Sequence, residues 1–100
     1  MPITKILMMI KKNLHCLIYG KVQGVGFRDW TAKKAFRYDL KGWVKNCINK
    51  EVELEVSGIE SNLNLFLKEL FMGPTLAEVF KVDYKFVNFR KLEKFRILAK

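Results

Sequence analysis

An α+β fold follows from three observations on this 100-residue chain. Strand-like runs occur four times, helix-like spacing occurs twice, and they alternate as strand, helix, strand, strand, helix, strand. Half of the residues are hydrophobic, so one domain can bury a single packed core. The order is that of the split βαβ, a ferredoxin-like βαββαβ sandwich in which two helices cover one face of an antiparallel sheet.

The elements follow in turn. Residues 1–12 read as an N-terminal tail or irregular segment ahead of a domain over 13–100. From Asn13 to Tyr19, Leu14, Cys16 and Ile18 alternate with His15, Leu17 and Tyr19, a strand with apolar character on both faces. Between Arg28 and Tyr38 the period changes, and Phe27, Thr31, Ala35 and Tyr38 fall on one helical face. "GWVKNC" and "EVELEVSG" read as the next two strands. In the second of these Val52, Leu54 and Val56 make a buried face and Glu51, Glu53 and Glu55 a wet one.

Ser61 to Met72 is the clearest helix. Leu63, Phe66, Leu67 and Leu70 recur at i, i+3, i+4 and i+7, Ser61 is the expected N-cap, and Gly73 and Pro74 stop the helix. "EVFKVDYKF" is the fourth strand. Val79 is out of phase with Val82, Tyr84 and Phe86, which predicts a bulge near Phe80 or Lys81. "KFRIL" admits a short fifth, C-terminal strand.

Two cysteines, Cys16 and Cys47, and one histidine, His15, are too few for a disulfide framework or a zinc site. No metal and no cofactor are expected. A Cys-x5-Arg phosphate loop is absent, because Val22 and Glu53 stand six residues after the two cysteines. The net charge of +9 favours an anionic partner, although the lysines are scattered over the chain. "KILMMIKK" is too short for a signal-peptide core or a membrane span, so the reading is a cytoplasmic protein with no membrane partner.

The stretch "GKVQGVGFR", Gly20 to Arg28, carries the chemistry. Glycines between a strand and a helix let successive N–H groups turn inward as an anion-binding nest, and the helix start adds its own unpaired N–H groups. Arg28 at that start can grip a phosphate with two parallel hydrogen bonds. A Walker loop and a dinucleotide fingerprint both fail on residue pattern.

With "GWVKN" at 42–46 and V-x5-G ending at Gly58, this loop resembles the acylphosphatase family, over residues 13–98. The resemblance implies hydrolysis of carboxyl–phosphate mixed anhydrides without a metal. It implies a phosphate-binding loop of Gln23, Gly24, Val25, Gly26, Phe27 and Arg28, and catalytic residues Arg28 and Asn46, the latter holding the attacking water. The partners it implies are a small-molecule acyl phosphate and inorganic phosphate, as product and inhibitor, at a monomer. Departures from the family pattern are Lys50 in the hairpin and Asp39 after the first helix, both where glycine is expected. Lys50 puts the hairpin's shape, and with it the placing of Asn46, in question.

Other residues have bland readings: His15 a strand residue without a nearby carboxylate, Cys16 core packing, Asp29 a helix-dipole partner and Trp43 sheet packing near the site. The competing function is a non-catalytic phosphate-binding or RNA-binding ferredoxin-like domain. "KGWVKNCI" fits the RNA-binding strand motif only at its start, so nucleic acid is not expected as a partner.

Overall fold

The structure is a computed structural model that describes residues 9–99. Strands β1 (Lys11–Lys21), β2 (Lys41–Asn46), β3 (Val52–Ile59), β4 (Glu78–Val87) and β5 (Phe95–Leu98) form one sheet in the order β4-β1-β3-β2-β5. Helices α1 (Phe27–Arg37) and α2 (Glu60–Leu70) pack on one face of it. The expected βαββαβ sandwich is therefore present, and the fifth strand exists. β5 runs parallel to β2, whereas the other pairs are antiparallel, so the complete sheet is mixed.

Alternation builds the core. Leu14, Cys16 and Ile18 of β1 lie opposite Val56, Leu54 and Val52 of β3, and all six are buried. Phe27 and Ala35 of α1, and Leu63, Phe66, Leu67 and Leu70 of α2, close over them. The helices are tied to each other at Glu69, which takes an ion pair from Lys34 at 2.7 Å and a hydrogen bond from the Tyr38 hydroxyl. Lys34 first, then Tyr38, holds the Glu69 carboxyl below its usual range.

Several boundaries differ from expectation. Lys11 and Lys12 already belong to β1, paired with Ile59 and Gly58, so the strand starts before Asn13. Residues 1–8 of the expected N-terminal tail lie outside the described residues. α2 starts at Glu60 with Ile59 as its N-cap, and Ser61 lies within the first turn instead of capping it. The cause is local: β3 runs straight into the helix, and the Glu60 N–H donates to the Ile10 carbonyl at 2.8 Å. At the other end, the N–H groups of Met72 and Gly73 both donate to the Glu69 carbonyl.

The bulge stands where the phase slip puts it. Tyr19 faces Lys81 and Gly20 faces Val79, which leaves Phe80 as the extra residue. On the open face of the sheet Glu55 is buried rather than wet, at 7% exposure. Arg90, from the β4–β5 connection, lies across it and donates two hydrogen bonds at 3.0 and 3.1 Å, while Asn13 donates a third at 2.7 Å.

Asp39 and Lys50 both adopt left-handed backbone conformations, with φ of 54° and 82°. At Asp39 the strain ends a helix in an ordered way. The Leu40 N–H reaches the Ala35 carbonyl and the Asp39 N–H the Phe36 carbonyl, a Schellman motif. At Lys50 a turn closed by Lys50 N–H to Cys47 C=O keeps Asn46 opposite Val52. The hairpin survives, and Lys50 rather than Asn49 carries the strain.

A left-handed lysine costs about 1–2 kcal/mol, part of which a glycine returns through its freer unfolded chain. Lys50→Gly is expected to stabilise the protein by about 0.5–1 kcal/mol, raising Tm by roughly 2–8 °C in a thermal melt.

Candidate active site

The connection from β1 to α1 turns at two glycines. Gly24 and Gly26 have φ of 73° and 76°, where a Cβ is strained even though nothing stands within 4 Å of where it would sit. Backbone conformation, and not crowding, is what calls for glycine here. Gly26 is also the N-cap of α1 and offers no side chain to its first turn. A serine or aspartate there would satisfy one of the turn's N–H groups internally. Among the described residues, no protein acceptor takes the N–H groups of Gln23 to Asp29, while the carbonyls of Gly26 and Phe27 accept from the Trp30 N–H and the Thr31 hydroxyl.

Gln23 has a role that its place in the loop did not suggest. Its side-chain amide donates to the carbonyls of Cys47 and Glu51, at 2.8 and 3.0 Å. These are the two ends of the β2–β3 turn, so the loop is fastened to the hairpin that carries Asn46. Arg28 is fastened as well. Its Nη1 donates to the Leu98 carbonyl at the end of β5, at 3.2 Å, and among the described residues the other guanidinium donors have no protein acceptor.

Loop, helix start and strand ends enclose a cavity of about 320 Å3 lined by Val22, Gly24, Gly26, Phe27, Arg28, Asp29, Asn46 and Ile97. Gly24, Gly26, Phe27, Arg28 and Asn46, from the expected set, thus meet at one place. Val25 packs against the core. Asn46 shares the helix-covered side of β2 with buried Val44. Trp43, one register out, lies on the opposite face with Lys45 over its ring, so it is not beside the cavity. Asp29 is exposed at the cavity mouth. Ile97 and the Leu98 carbonyl went unrecognised in the sequence, where β5 was only a short apolar run.

The remaining candidates sit elsewhere. His15 does have a carboxylate partner, correcting the expectation: its Nε2 lies 2.7 Å from Glu53 across the strand pair. Burial acts to raise the Glu53 carboxyl, but hydrogen bonds and charge from His15, then Lys45, leave it below its usual range. This pair lies on the open face, away from the cavity. Burial pushes the Cys16 thiol up to about 12. Burial, then Glu53 and Glu51, also raises Cys47, so neither cysteine is a ready nucleophile.

Among the described residues no three His, Cys, Asp or Glu side chains converge as metal ligands. No described helix is long and apolar enough to cross a membrane. The open face of β3 carries Glu53 and Glu55, a poor platform for stacking and phosphate contact with RNA.

Comparison with known proteins agrees with this arrangement. A family model described as Acylphosphatase matches residues 14–97. An acylphosphatase of Geobacillus kaustophilus is 42% identical over 88 residues, covering 87% of this chain and 94% of the relative. The solved acylphosphatase of Coxiella burnetii superposes with a TM-score of 0.84 at 34% identity, over 88% of this chain and 93% of that one. That of Bacillus subtilis gives 0.80 at 31% identity, over 87% and 98%.

The Gln23 bonds are a separate, measurable contribution. Gln23→Leu should lower stability by about 1–2 kcal/mol, the loss of two modest hydrogen bonds. A urea titration should show a lower midpoint at an unchanged m-value. An unmoved midpoint would mean that loop and hairpin hold their places without Gln23.

Proposed function

We propose how this chain, which belongs to the acylphosphatase family and hydrolyses acyl phosphates to a carboxylate and inorganic phosphate, carries out that reaction. The backbone N–H groups from Gln23 to Arg28 hold the phosphoryl oxygens, the Arg28 guanidinium clamps them, and the Asn46 side chain orients the attacking water. The observation that carries this assignment is the convergence of Gly24, Gly26, Arg28 and Asn46 on one cavity.

The chemistry asks little more of the protein. Water attacks phosphorus as the phosphorus–oxygen bond to the acyl group breaks, and the carboxylate leaves with the bonding pair. The proton that water gives up is carried off with the phosphate product or to solvent. A carboxylate with an ordinary pKa near 4 leaves without being protonated, so no general acid is required. What remains is to place water in line and to stabilise charge on the phosphoryl oxygens. A neutral amide at Asn46 can hold water without repelling the anionic substrate. The proposed cradle and Asn46 meet within one chain, so the reaction as assigned needs no residue from a second copy.

Phosphate should inhibit competitively at the cradle it shares with substrate, and it should raise Tm by binding only the folded loop. Arg28→Ala is expected to weaken phosphate inhibition and turnover together, with no rescue by lysine, because the planar fork is lost. Asn46→Ala should keep the phosphate inhibition constant while kcat falls roughly 10²–10³-fold, as for loss of one preorganised polar group. Full activity in Asn46→Ala would remove this residue from the assignment. Separately, benzoyl phosphate hydrolysis should persist in EDTA; loss on chelation with recovery on adding metal would contradict the mechanism.

A further inference from the structure

We propose that the groove between α1 and β5 holds the acyl group of the substrate, and that it suits an extended apolar chain. The inference rests on the acyl-phosphate reading of the cradle and names what lies beyond the phosphoryl group.

Arg28, Ala32 and Phe36 are spaced i, i+4 and i+8, so they form one stripe along α1. At 1.5 Å per residue the stripe is about 12 Å long, roughly the distance from phosphorus to the terminal methyl of an extended octanoyl phosphate. Arg28 ends it at the phosphate cavity, while Ala32 and Phe36 line a second cavity of about 590 Å3 together with Phe95 and Ile97 of β5. Ile97 lines both cavities, so the second cavity adjoins the cradle. The acyl carbon is joined to phosphorus through a single oxygen. With the phosphoryl group in the nest, the chain beyond that carbon can leave along this groove.

The lining fits such an occupant. Phe36 is 88% exposed and Ile97 44%, an expense of apolar surface that neither the core nor the helix pairing uses. Ala32 between them leaves the floor low, where a longer side chain would fill it. A hydrocarbon laid in the groove would cover Phe36 and Ile97 and be covered by them. Asp39, Lys41 and Lys94 also line the cavity and make the end away from Arg28 charged, so the apolar stretch has a defined length.

The test is kcat/KM for acetyl, butanoyl, hexanoyl and octanoyl phosphate in the wild type, Ala32→Leu and Phe36→Ser. In the wild type kcat/KM should rise roughly twofold per methylene, mostly through KM. That is about half the effect of fully burying a CH₂, because the groove is open on one side. Ala32→Leu, a helix-compatible change, should keep acetyl phosphate hydrolysis and phosphate inhibition while losing the dependence on chain length. Phe36→Ser, at a surface position that the fold does not need, should lower kcat/KM severalfold for octanoyl phosphate and not for acetyl phosphate. Equal kcat/KM across the series, or an undiminished chain-length dependence in both variants, overturns the inference and leaves the acyl-phosphate reading standing. Failure to hydrolyse any of the four would overturn that reading and the groove assignment with it.

Discussion

The two hydrogen bonds from the Gln23 amide to the carbonyls of Cys47 and Glu51 join the halves of the site. The cradle belongs to the β1–α1 connection and Asn46 to the β2–β3 hairpin. Strands β1 and β2 are not neighbours, because β3 lies between them. Sheet pairing alone therefore fixes the relation of cradle and asparagine only through a third strand. Gln23 spans that gap directly. It also acts on the part of the hairpin that is under strain, since the turn it grips contains Lys50 at φ 82°.

A second fastening reaches the site from the opposite end of the chain. Arg28 leans on the carbonyl of Leu98, and β5, which supplies it, is only four residues long. So short an edge strand depends on the segment that delivers it. That segment is anchored on the open face, where the Arg90 guanidinium holds Glu55 and the Arg90 N–H donates to the Asn13 side chain at 3.1 Å. Glu55 is nearly without solvent, so each of its donors matters: a buried carboxylate stripped of one partner costs several-fold more than a surface pair is worth. The chain from Glu55 through Arg90 and β5 to Arg28 ties the face without helices to the face with the chemistry.

The fold was legible in the sequence because its cues are local. Period-two alternation located β1 to β3, i, i+3, i+4 spacing located α2, and a one-residue phase slip located the bulge to Phe80 or Lys81, of which the register picks Phe80. The loop that lines the cavity was legible for a similar reason, since glycines and an arginine sit side by side between two periods. What stayed hidden depends on register or on distant chain. His15 meets Glu53 only because antiparallel pairing places Leu17 directly opposite Glu53 and His15 two residues away on the same face. Glu55 looked wet because nothing near it in sequence announces Arg90, 35 residues on. Ser61 was the better cap by residue type, but the direct entry from β3 gave that place to Ile59. The partner of Arg28 was hidden most deeply, because it is a backbone carbonyl 70 residues away and carries no residue-type signal at all.

Electrostatics completes the picture of how an anion reaches the cradle. The chain carries 10 acidic residues against 19 lysines and arginines. Among the described residues, six of the acids, Asp39, Glu53, Glu55, Glu60, Glu69 and Asp83, are engaged in ion pairs. Those pairs are local and largely cancel, so the excess positive charge is felt over the whole surface as a long-range field. Such a field accelerates encounter with an anion but cannot by itself orient it, and it weakens with salt. Under the proposed assignment, orientation falls to the short-range groups, the N–H nest and Arg28. Asp29, exposed in the lining of the cavity, repels any anion there, so the N–H groups and Arg28 have to outweigh it. Broad attraction and short-range orientation together favour one phosphoryl group, seated in one place, over a loose cloud of anions around the helix start.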